Sequence, residues 1–220
     1  MTGTPPAQPS PAPSPPAAAP GPPGAAGGPT GLRHGTVQVV PSDPRWPLAY
    51  ARLAADLAPA LGGLATAVEH VGSTSVPGLP AKPIIDIAVL LAPGADARLL
   101  HAAVGPLGYA FQGDTGDKGG LLYVLEDAAL PDHAVAHLHG INAGDPQWDR
   151  YLTLRDLLRA DPSARDKYAA LKRVLAVRYR NDRPGYTEAK SDFIIRLLTT
   201  AAERAEREVS GSVTEPAAKP

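Results

Sequence analysis

The stretch Pro83–Leu91 constrains the fold more than any other part of this chain. Ile84, Ile85, Ile87, Val89, Leu90 and Leu91 make an almost unbroken apolar run, which Pro93-Gly94 then breaks. A strand apolar on both sides belongs inside a sheet, with both faces covered. Asp86 is the exception within it. A carboxylate there has to be paired, hydrogen-bonded or bound to a cation, because an unpartnered charge on such a strand is prohibitive. Asp86 is therefore either a metal ligand or a buried acid held by cationic side chains, and Lys82, just upstream, brings positive charge to the same edge.

Other elements assemble around this strand. Thr36–Val40 is β-branched and stopped by Pro41, as a short strand would be. Ser42 or Asp43 can cap a following helix, with Pro44 in its first turn, and Trp46, Tyr50, Leu53, Leu57 and Leu61 give that helix one apolar face before Gly62-Gly63. Ala65–Val71 reads as a strand, Gly72–Pro80 as a loop and Ala97–Val104 as a helix. Tyr109–Gln112, Gly120–Leu125 and Ala134–Ile141 read as further strands. From Gln147 the apolar period turns helical: Trp148 to Leu158, then Tyr168 to Tyr179, then Phe193 to Ala201. Strands in the middle and helices at the end predict a mixed α+β (α/β) domain.

Composition sets its limits. Residues 1–34 are almost wholly Pro, Ala, Gly, Ser and Thr and predict a disordered tail, since they offer little to bury against the entropy of ordering. Residues 206–220 predict a second, shorter tail, leaving one soluble domain over 35–205. Cysteine is absent, which removes thiol nucleophiles and Cys-bound zinc and agrees with a cytoplasmic location. A net charge of −1 gives no signature for a nucleic-acid partner. No apolar run approaches the roughly 18–20 residues that a membrane-spanning helix requires.

Gly72-Ser73-Thr74-Ser75 follows a strand. Glycine there lets a phosphate approach backbone N–H groups, and the three hydroxyls add donors. The competing reading is an ordinary turn in which Ser73 or Thr74 caps the backbone that follows. His137 and His139 lie two apart, so on a strand both face one side, as two ligands or an acid/base pair would, or as a hydrogen-bonded surface pair. Most of the Arg and Lys residues after Gln147 read as a solvated helix surface; Arg155, Arg183 and Lys190 are the ones suited to hold phosphates.

The segments Glu69-His70-Val71-Gly72-Ser73-Thr74-Ser75-Val76-Pro77-Gly78-Leu79, Lys82–Ile87, His137-Leu138-His139, Arg155–Arg159, Tyr168–Lys172 and Asp182-Arg183 with Tyr186–Ile194 together resemble the GrpB family of nucleotidyltransferase-like proteins, over nearly everything from Val37 to Ala201. The resemblance implies a mixed sheet flanked by helices, with a helical C-terminal half. It also implies phosphate binding at Gly72, Ser73, Thr74, Ser75, Lys82, Arg155, Arg183 and Lys190, and Mg²⁺ at Asp86. Chemistry would centre on Asp86, His137 and His139, and a nucleoside triphosphate or related nucleotide would be the partner. In that superfamily a second metal-binding acid would fall where this chain has Ala88, so the two-metal mechanism lacks a ligand. Glu69, His70, His137 or Asp156 are candidates to complete the site. Two functions follow: a nucleotidyl transferase, or a non-catalytic module assisting another enzyme. The second is suggested by fusion of family members to dephospho-coenzyme A kinase.

Overall fold

The computed structural model describes residues 30–115 and 120–212, with the side chains of 205 and 208–212 left aside. In chain order the elements are β1 (Leu32–Arg33), α1 (Trp46–Leu61), β2 (Ala65–Val71), β3 (Ile85–Leu91) and α2 (Ala97–Val104). They continue as β4 (Tyr109–Asp114), β5 (Leu121–Glu126), β6 (His133–Ile141), α3 (Gln147–Ala160), α4 (Pro162–Arg178) and α5 (Arg183–Ser212). The strands form one mixed sheet in the order β2-β3-β6-β5-β4, with β1 added to β6. β3 is interior as its composition requires. It pairs antiparallel with β2 and parallel with β6.

Period-two alternation splits the sheet into two unlike faces. Ile85, Ile87, Val89 and Leu91 of β3, with Ala136 and Leu138 of β6, pack against Trp46, Leu53 and Leu57 of α1 and Leu100 of α2. This is the main core. Asp86 and Ala88, with His137 and His139, point to the other side, where α3 brings Trp148, Tyr151 and Leu152 against Val71, Ala88 and Ile141. Val76 and Leu79 of the following loop anchor Leu158 of α3 and Tyr168 of α4. The last three helices therefore form a wall beside the polar residues of the sheet.

Three sequence expectations need correction. Thr36–Val40 is not a strand: its only sheet-like link is the isolated bridge of Val40 with Ala81, and Val37 N–H donates instead to the Arg180 carbonyl. The neighbouring strand is β1, inside the stretch expected as tail, because Leu32 finds a buried place beside Ile84, Val124 and Ala134. Helix α1 starts at Trp46, after the Asp43 carboxylate has accepted from Arg45 N–H and side chain, so Pro44 precedes the helix. Most of both expected tails, 1–29 and 213–220, lies outside the described residues, although the backbone of α5 runs through 206–212.

Candidate functional site

Register brings the site together. Asp86 stands opposite Val71 on β2 and opposite His137 on β6, and Ala88 stands opposite His139. Partners in register share a face, so one carboxylate and two imidazoles converge. His137 Nδ1 lies 3.0 Å from Asp86 Oδ1, and His139 Nε2 lies 3.7 Å from the same oxygen. On the far side of its ring, His137 Nε2 is 2.7 Å from Arg183 Nη2. A guanidinium only donates, so Nε2 accepts and the ring proton resides on Nδ1, which donates to Asp86. His139 Nδ1 meets the Tyr151 hydroxyl at 3.2 Å, which orients that ring with Nε2 toward Asp86.

Gly72 makes room for the acid. Its φ of 67° is left-handed, and a Cβ there would lie 2.3 Å from Asp86 Oδ2. The glycine-serine bend and the carboxylate therefore touch. Ser73 lies beside the Tyr168 hydroxyl. The other two hydroxyls of the turn are committed inward: Thr74 to the Ile84 carbonyl and His70 Nε2, and Ser75 to the Gly72 carbonyl at 2.6 Å. Both side chains are buried.

Several cations gather around Asp86. Burial opposes the Asp86 charge, but the hydrogen bond from His137 and the nearness of His139 prevail and hold its carboxyl well below the usual range. Burial pushes the His137 ring down to about 4 against the pull of Asp86, so it is neutral near neutral pH. Lys82, Arg183, Lys190 and Lys172 all lie within electrostatic reach of Asp86. Burial, then Arg183 and Lys190, bring Lys82 down to about 7. Burial brings Lys190 to about 8 even with Asp86 opposing, and Lys172 to about 6, with Lys190 adding to the effect. Lys82 Nζ and Lys190 Nζ both lie over the Tyr186 ring, 5.8 and 4.6 Å from its centroid.

Some candidates belong elsewhere. Arg155 Nη1 donates to Glu69 Oε2 at 2.7 Å and its Nε to Asp156 Oδ1 at 2.8 Å, so these three residues satisfy one another. His70, opposite Ile87, projects to the α1 face and stacks on Tyr50 at 4.6 Å. It is structural. Two residues that touch the site escaped sequence reasoning. Arg159 holds the Ser75 carbonyl at 2.8 Å, and Lys172, 2 % exposed, donates to the Pro80 carbonyl beneath Tyr168. The signal for Lys172 was present: it follows Tyr168 by four and precedes Leu175 by three, in phase with the buried stripe of α4.

Residues 36–200 match the family model described as GrpB protein. The chain belongs to this family. A UPF0157 protein of Pseudomonas aeruginosa is 39% identical over 165 residues, spanning 75% of this chain and 67% of that relative. One from Halalkalibacterium halodurans is 36% identical over 170 residues, 76% of this chain and 84% of its own. The crystal structure of conserved protein GrpB from Enterococcus faecalis superposes with a TM-score of 0.67 at 30% identity, covering 76% of this chain and 99% of that one. A Mycolicibacterium paratuberculosis protein named dephospho-CoA kinase is 30% identical over 184 residues, 70% of this chain but only 43% of the kinase. The GrpB fold expected from the motifs is thus borne out. No helix among the described residues is long and apolar enough to cross a membrane.

Asp86, His137 and His139 each offer one donor atom, all within 4.8 Å of one another, and could hold a metal ion. As a resident Mg²⁺ site the set fits poorly. Mg²⁺ takes oxygen ligands in near-ideal octahedra, whereas two of these three donors are imidazole nitrogens. Ala88, fully buried in the cluster with Tyr151 and Leu152, supplies no second carboxylate.

Proposed function

We propose that this protein binds the phosphate groups of a nucleotide in the cleft between Gly72-Ser73, Asp86 and the helices α4 and α5, and that it acts as a binding module. One observation carries this reading: Lys82, Lys190, Arg183 and Lys172 gather within electrostatic reach of Asp86, with charges already weakened by burial. Cations held together in this way are costly until an anion joins them, and a polyphosphate supplies several negative charges at once. Ser73 is the partly exposed hydroxyl of the turn, whereas Thr74 and Ser75 are buried. Any Mg²⁺ would arrive on the nucleotide's own phosphates, with Asp86 contributing one oxygen. Such a ligand pool belongs to the cytoplasm. The partial match to a dephospho-CoA kinase supports a nucleotide of the adenine or coenzyme A class and a partner enzyme of that kind.

A nucleotidyl transferase is the second reading. The two histidines beside Asp86 favour it, because they stand where acid/base groups could serve an attacking hydroxyl. Thermal shift with ATP, GTP and coenzyme A, each with and without Mg²⁺ or Mn²⁺, tests both. The module predicts a rise of about 5 °C at saturating ligand without metal and without product. Product formation that Asp86→Asn abolishes would move the assignment to the transferase. No shift with any of the three sinks both readings.

A further inference from the structure

We propose that Asp86, His137 and His139 form a site for a divalent first-row transition metal, and that Arg183 and this metal exclude each other at His137. The donor set is one carboxylate oxygen and two imidazole nitrogens, which suits Zn²⁺, Co²⁺ or Fe²⁺ rather than Mg²⁺. Donors about 2.1 Å from a common ion at tetrahedral or octahedral angles stand roughly 3.0–3.4 Å apart. From Asp86 Oδ1, His137 at 3.0 Å already falls at that spacing and His139 at 3.7 Å lies a few tenths of an ångström beyond it, with all three donors within 4.8 Å of one another. The supporting contacts resemble those of metal centres as well. Tyr151 fixes the His139 ring through its outer nitrogen, and Gly72 backs the carboxylate.

The exclusion follows from which nitrogen faces where. His137 turns Nδ1 toward Asp86, so Nδ1 is the nitrogen that would bind the ion. A neutral imidazole has a single ring proton, and metal on Nδ1 sends it to Nε2. Nε2 then becomes a donor facing the Arg183 guanidinium, which also only donates and now stands 2.7 Å away. Two donors at that distance repel, and the guanidinium adds like charge to a site receiving a cation. The Arg183 side chain must leave for the metal to enter. Its release toward the cleft would add a phosphate donor there, a consequence that rests on the function proposed above; the metal site itself does not.

Isothermal titration of the full chain with Co²⁺, Zn²⁺ and Mg²⁺, paired with the visible spectrum of Co²⁺, tests the site and the exclusion. The expected result is one Co²⁺ or Zn²⁺ per chain, lost in His139→Phe, with Mg²⁺ silent. Arg183→Met should raise Co²⁺ affinity about tenfold. Lys190→Met removes a nearby positive charge that does not touch His137, and should raise it only about two- to threefold. Equal gains in the two variants overturn the exclusion in favour of simple repulsion. Absence of Co²⁺ and Zn²⁺ binding in the wild type and in a folded Arg183→Met overturns the site. Nitrogen NMR of the imidazoles gives an independent check, because the His137 proton must move from Nδ1 to Nε2 as Zn²⁺ is added. Inorganic pyrophosphate titrated without metal reports on the phosphate reading alone, so the two ideas can fail separately.

Discussion

The two faces of the sheet use alternate residues of the same strands for opposite ends. Toward α1 and α2, Ile85, Ile87, Val89 and Leu138 meet Leu53, Leu57 and Leu100, and burial there is almost wholly apolar. Toward α3, α4 and α5, Asp86, His137 and His139 meet Arg183, with Lys82, Lys172 and Lys190 close by. The first face stabilises; the second holds cations together at a cost and is open to chemistry. A shift of one residue in strand register would exchange them.

If the contrast is right, a core change should cost stability and leave binding intact. Leu57→Ala, at a position with no exposure, is expected to lose about 4 kcal/mol in urea unfolding. The folded remainder should keep its nucleotide-induced shift. A matching loss of ligand affinity would break the division of labour.

Acid tests a polar residue on the apolar side. Burial brings the stacked His70 ring down to about 4, whereas in the unfolded chain it titrates near 6.5. Unfolded protein therefore binds a proton that folded protein refuses. Stability should be complete above about pH 6.5 and decline toward pH 4, by about 3 kcal/mol for this ring. His137 acts in the same direction. Urea midpoints between pH 8 and 4 measure the decline, and His70→Asn should flatten it. A midpoint unchanged by that variant would mean His70 is not held neutral.

The smallest effect has the opposite sign. Lys190→Met replaces a cation that burial weakens, with Arg183 as a neighbour, by a side chain of similar length. It should stabilise the ligand-free protein by about 1 kcal/mol while reducing pyrophosphate affinity. Loss of both stability and affinity would show that the cluster is structural, and the contrast between faces would weaken.

Much of this was legible before any coordinates. The apolar run of β3 forced an interior strand, and Asp86 within it had to have partners. His137 and His139 could be placed on one side by their spacing alone. Other features were not legible because they depend on residues distant along the chain. Arg155 and Lys190 look alike as basic helix residues, yet Glu69 claims the first and Asp86 draws on the second. Thr36–Val40 has the composition of a strand, but strand formation needs an open edge, and Leu32–Arg33 took the place beside β6.

Sequence by itself determined the alternation of apolar and polar residues, the glycine bend before the central strand and the absence of a second acid at Ala88, because each is a local property of side-chain type and spacing. Only the tertiary structure decided that β3 runs parallel to β6, with Asp86 level with His137, and that Arg183 reaches the far nitrogen of that ring. Those are long-range pairings, fixed by how sheet and helices pack as a whole, and no local pattern encodes them.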